Sequence, residues 1–86
     1  MKFMSVWSIK PEHLNAAVER FKTASPEPSP GVKLLSRWHE MGTGKGFALL
    51  EVDDQVALAK FILAWGDLVD QKLVPVMGDE EIAQAL

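Results

Sequence analysis

The chain contains no cysteine, which excludes a disulfide framework and thiolate metal sites alike. It also lacks a basic cluster: net charge is −3, acids gather after residue 50, and Lys and Arg are scattered. Nucleic-acid binding needs a basic stripe to displace counterions from phosphates, so that class drops out. Long apolar runs are missing too, and none approaches the ~20 residues of a membrane span. The apolar opening "MKFMSVWSI" meets Lys10, Pro11 and Glu12 too early for a signal h-region and cleavage site. These absences predict a soluble, cytoplasmic protein without nucleic-acid or membrane partners.

What the chain has is apolar surface in excess. Eighty-six residues predict one domain spanning 1–86. A domain of that size buries only roughly 60–65% of the surface its unfolded chain exposes. Yet 48% of the residues are hydrophobic. With no covalent staple, that surplus predicts burial against a second copy, as a homodimer.

Periodicity sets the elements. Residues 2–9 alternate, with Phe3, Ser5, Trp7 and Ile9 on one face and Met4, Val6 and Ser8 on the other. Apolar residues on both faces predict a strand covered on both sides. Pro11 suits a first helical turn, and Leu14, Ala17, Val18 and Phe21 recur at helical spacing to about Thr23. "SPEPSPG" stops that helix and reads as a surface link, or as a semi-rigid lip over a pocket. Two strands follow, "VKLLSRWHE" and "GFALLEV", joined by "MGTGK". Asp53-Asp54 offers an N-cap to "QVALAKFILAW", which stops at Gly66. That helix is apolar almost all round and predicts a second cover, which Ile82 and Leu86 of a short final helix capped by Asp79 could supply. "LVDQKLVPV" carries Pro75 and charges suited to an edge strand. The order β-α-β-β-α-β predicts an α+β, ferredoxin-like antiparallel sheet with two helices on one face. Its bare face would let two copies close a dimeric barrel.

The glycine-spaced lysine in "GTGKG" invites a phosphate-loop reading, which its context rejects. Gly46 stands where Ser or Thr is required, His39 occupies the position of the first glycine, and a strand follows instead of a helix. A hairpin turn accounts for the motif. A turn centred near Thr43 sets Arg37 opposite Leu49, His39 opposite Phe47 and Leu35 opposite Glu51. One face then gathers Leu34, Ser36, Trp38, Ala48, Leu50 and Val52 with Met4 and Val6, to lie under the helices. The other gathers Arg37, His39, Phe47, Leu49 and Glu51 with Phe3, Ser5 and Trp7.

That second face mixes aromatic bulk with convergent polar groups, as small-ligand pockets do. Trp7, Arg37, His39 and Glu51 are the candidate ligand-binding residues, with Arg37–Glu51 a potential ion pair. His39 is the candidate catalytic residue, because imidazole exchanges protons near neutral pH. The plainer alternative is a dimer interface whose polar groups satisfy each other. His13 reads as solvated and Trp65 as core. Two histidines with scattered carboxylates make no metal site, and no cofactor is expected.

The opening "MKFMSVWSIKPEH", the central "GVKLLSRWHEMGTGKGFALLEVDD" and "LVPVMGDEE" resemble a family of small bacterial proteins known as a domain of unknown function, number 3303. The most specific pieces are Ser36 to His39 and Phe47 to Asp54. More distantly the chain resembles dimeric α+β barrel proteins, among them cofactor-free monooxygenases and muconolactone isomerase-like enzymes. The resemblance implies a homodimer with a pocket between sheet and helices or inside the barrel, and it carries over no catalytic residue. Three functions follow as expectations. The first is a dimeric module holding a small, partly apolar organic molecule. The second is a cofactor-independent oxygenase or isomerase, with His39 as base and Arg37 steadying an enolate. The third is a structural dimer without ligand.

Overall fold

The computed structural model describes residues 1–23 and 30–86. The architecture is α+β: β1 (Lys2–Ile9), a single 3-10 turn (Pro11–His13), α1 (Leu14–Thr23), β2 (Val32–His39), β3 (Lys45–Val52), α2 (Gln55–Trp65), β4 (Val69–Val76) and α3 (Asp79–Ala85). The proline-rich stretch expected as a link or lip falls largely on residues 24–29, outside the described residues.

The strands form one antiparallel sheet in the order β2-β3-β1-β4. β3 therefore sits between β1 and β2, and β1 between β3 and β4. Pro75 lies on edge strand β4, where a missing N–H costs no ladder bond on the solvent side. α1 and α2 both lie on one face of the sheet.

Sequence chemistry accounts for the joints. Asp54 caps α2, its carboxylate accepting the Ala57 N–H at 2.7 Å. Gly66 ends the same helix while staying right-handed (φ −63°), and the reversal is completed by the Leu68 N–H donating to the Trp65 carbonyl at 3.0 Å. Asp79 is the first residue of α3 and not its cap, a position held by Gly78. In the hairpin, Gly44 takes φ +69°, open to glycine at little cost. Its carbonyl accepts the Ile9 N–H at 2.8 Å, tying the turn to β1.

The hydrophobic core is small: Val32, Ala48, Leu50, Val52 and Ala57, with Phe3, Trp7, Leu34, Leu58, Phe61 and Leu73 packed around it. Leu50 is fully buried, and burial of that kind contributes about 1.5–3 kcal/mol. α3 buries no residue. Ile82 and Leu86 stay exposed, so the expected cover for α2 does not form, and Val56 and Leu63 on that helix remain exposed as well.

The hairpin departs from the expected register. Arg37 pairs with Ala48, Trp38 with Phe47 and His39 with Gly46, one residue off a turn centred on Thr43. A bulge between Leu34 and Ser36 then takes up Leu35, so Leu34 pairs with Leu50. The extra residue inverts the alternation partway along β2. Arg37 and His39 consequently share the helix-covered face with Leu34, Ala48 and Leu50, while Ser36 and Trp38 turn to the open face. β1 is also reversed from expectation: Phe3, Ser5 and Trp7 align with Leu50, Ala48 and Gly46, toward the helices.

Candidate functional site

Two cross-strand rows build the floor of a cleft on the helix side. One runs His39, Gly46, Trp7, Gln71; the next runs Arg37, Ala48, Ser5, Leu73. The two central strands carry small side chains there, namely Gly46, Ala48 and Ser5, and Ala17 faces them from α1. Larger groups stand around this depression. The result is a cleft of about 300 Å³, at the low end of the range that takes small organic ligands.

Gly46 is required by a close approach. A Cβ there would collide with Cζ2 of Trp7 and with the Trp38 carbonyl. Its absence lets the Trp7 indole lie flat across β3. The indole meets the His39 ring edge-on, with centroids 5.3 Å apart. Phe21 of α1 meets the same imidazole at 6.1 Å, also edge-on. The "GKG" motif thus serves an aromatic wall as well as a turn.

α1 covers the cleft loosely. Only Ala17 is buried, while Leu14, Val18 and Phe21 line the space and remain 41–48% exposed. Its far end is tied to α2. Arg20 donates to both carboxylate oxygens of Asp67 at 2.7 and 2.8 Å and to the Ala64 carbonyl at 3.1 Å. Its guanidinium also sits 5.5 Å from the Trp65 ring centre. The hydrogen bonds from Arg20 hold the Asp67 carboxyl down at about 2.

The polar groups of the cleft are few. Ser5, 1% exposed, donates to Oε1 of Gln71 at 3.0 Å, which satisfies the hydroxyl and anchors the amide. Arg37 is half-buried, and its guanidinium lies 5.1 Å from the Phe21 ring centre. Loss of solvent lowers its pKa, though it remains a cation. No carboxylate among the described residues pairs with it. Glu40 lines the mouth and is exposed; Lys45 borders the mouth from β3, on the open-face side of the alternation. Among the described residues no three His, Asp or Glu side chains converge on a metal-sized point.

Of the four residues expected at the site, Trp7, Arg37 and His39 come together in this cleft. Glu51 does not. It pairs across the sheet with Lys2 and Lys33 on the open face, and its carboxylate comes to 4.0 Å from the Met1 amino group. The expected Arg37–Glu51 ion pair is therefore absent, because the bulge puts the two on opposite faces. Phe21, Gln71 and Trp65 line the cleft without having been singled out as site residues, and Trp65 was assigned to the core. The signal that could have found them is the run of small residues at alternate positions, Gly46 and Ala48, which marks a hollow under the helices.

The open face is apolar at its centre. Trp38, Phe47 and Val6 form one cross-strand row and Leu49, Met4 and Val74 the next. Trp38 is 66% exposed. Charged rows bound this band, with Lys33, Glu51 and Lys2 at one end and Lys45 and Asp70 at the other. No helix among the described residues is long and apolar enough to cross a membrane.

A family model described as a domain of unknown function (DUF3303) matches residues 1–86, and the chain belongs to that family. No curated protein and no solved structure gives a significant match.

Proposed function

We propose that this DUF3303 protein is a homodimeric binding module in which each copy holds one small, partly apolar organic molecule between sheet and helices. The observation that carries the reading is the cleft of about 300 Å³ whose walls are aromatic and whose polar groups are Arg37, His39 and the Ser5–Gln71 pair. Such a mixture orients a ligand by a few polar contacts while apolar contact supplies the affinity. The split βαβ connectivity, with each crossover spanning one intervening strand, supports a ferredoxin-like assignment.

The dimer is assigned to the open face. An exposed apolar band with a charged border is the make-up of an interface core and rim. Two sheets packed there would form an α+β barrel, leaving the clefts on the outer, helical sides. The presence of His39 and Arg37 in one cleft favours a second reading, a cofactor-independent oxygenase or isomerase using His39 as base.

Native mass spectrometry of freshly purified protein tests the module. A dimer carrying a discrete extra mass is the expected result, and Trp38→Ser with Phe47→Ser should return it to monomers that still carry the mass. A bare monomer from the unaltered chain would contradict the reading. The enzyme reading is tested on whatever compound is recovered: His39→Ala should abolish its turnover while leaving it bound.

A further inference from the structure

The cleft is lopsided in charge. Arg37 is a half-buried cation whose ring-facing side is taken up by Phe21, and no carboxylate among the described residues pairs with it. The one acid among the described lining residues, Glu40, is exposed at the mouth. A cation partly removed from water with no anion beside it among the described residues carries a desolvation cost that a bound anion would offset. The guanidinium presents a planar fork of N–H donors suited to a carboxylate. Beside it, Trp7, His39 and Phe21 supply an aromatic wall.

From this arrangement, and resting on the binding-module reading above, we infer that the ligand is a monoanion: a carboxylate attached to a flat apolar body. The carboxylate sits on the Arg37 guanidinium, and the body lies along Trp7 over the hollow at Ala48. Gln71, whose side-chain oxygen is held by Ser5, lines the same space, and its amide N–H₂ would be the donor to any second polar group.

Matched probes separate charge from shape. Naphthalene-2-carboxylate and its neutral carboxamide would be titrated against the intact protein, with tryptophan fluorescence and calorimetry as readouts. The carboxylate should bind about tenfold tighter than the amide, the scale of one charge-assisted hydrogen-bonding contact. Arg37→Met keeps the apolar stem and should erase that preference by weakening the carboxylate alone. Arg37→Lys should restore part of it, and thermal melts would establish that both variants are folded. Equal affinity of carboxylate and amide would overturn the anion assignment while leaving the cleft as a binding site. An undiminished carboxylate preference in Arg37→Met would overturn the role of Arg37. Failure of both probes to bind, together with a bare protein in native mass spectrometry, would remove the binding reading itself.

Discussion

The two ends of the space between sheet and helices are built differently. Under the start of α2, Val32, Leu50, Val52 and Ala57 are each at most 6% exposed and in mutual contact. Under α1, Leu14, Val18 and Phe21 stand off the sheet, and the floor beneath them is Gly46, Ala48 and Ser5. Both ends use the same sheet face under a helix, α1 amphipathic and α2 apolar almost all round. The difference lies in side-chain volume at the central strands. One end is filled to native density and holds the fold; the other leaves volume that its own residues do not occupy. Stability and site are thus assigned to adjacent segments of the same strands.

That contrast can be broken at either end, and the packed end should suffer most. Leu50→Ala should cost about 3 kcal/mol in urea unfolding, because among the described residues it removes the one large side chain that is wholly buried. Gly46→Ala should cost about 1–3 kcal/mol, since the new methyl must displace the Trp7 ring or the Trp38 carbonyl. The Trp7 fluorescence should shift with it. Asp54→Ala, which deletes the α2 cap, should cost about 1 kcal/mol. At Arg37, beside the same hollow as Gly46, the sign reverses. Arg37→Met should leave the ligand-free protein unchanged or up to about 1 kcal/mol more stable, because it removes a desolvated cation that no carboxylate among the described residues pairs with.

The smallest effect concerns the tie between α1 and α2. The Asp67 carboxyl is lowered from 3.8 to about 2 by Arg20. A depressed carboxyl contributes stability that is present above its unfolded value and lost as pH falls through its folded one. The difference in melting temperature between the parent and Asp67→Asn should therefore be steady above about pH 4 and shrink toward pH 2. Both partners are surface groups, so the difference will be small.

Much of the architecture was legible in the sequence. The alternation of residues 2–9, the Asp53-Asp54 start of α2 and the glycines between Trp38 and Phe47 correspond to elements at those positions. The site was legible only in part. Trp7, Arg37 and His39 were grouped correctly, but on the wrong side of the sheet and with Glu51. For Arg37 and His39 the reason is the single residue Leu35, while Trp7 lies there because β1 pairs it with Gly46. The Leu35 bulge has no signature in a run of apolar and polar residues that alternates well in either register. Nor does a pattern of apolar residues reveal an empty space: Phe21 and Trp65 read as core because the volume they border is set by the smallness of residues elsewhere.

The tryptophans offer the most direct measurement. Trp7 and Trp65 line the cleft, whereas Trp38 stands on the open face. Each indole N–H gives its own resonance in a proton–nitrogen correlation spectrum, and naphthalene-2-carboxylate can be titrated while all three are followed. The account predicts that the Trp7 and Trp65 signals move with saturation while Trp38 stays in place. Movement of Trp38 with Trp7 and Trp65 unchanged would put the binding surface on the open face and contradict it.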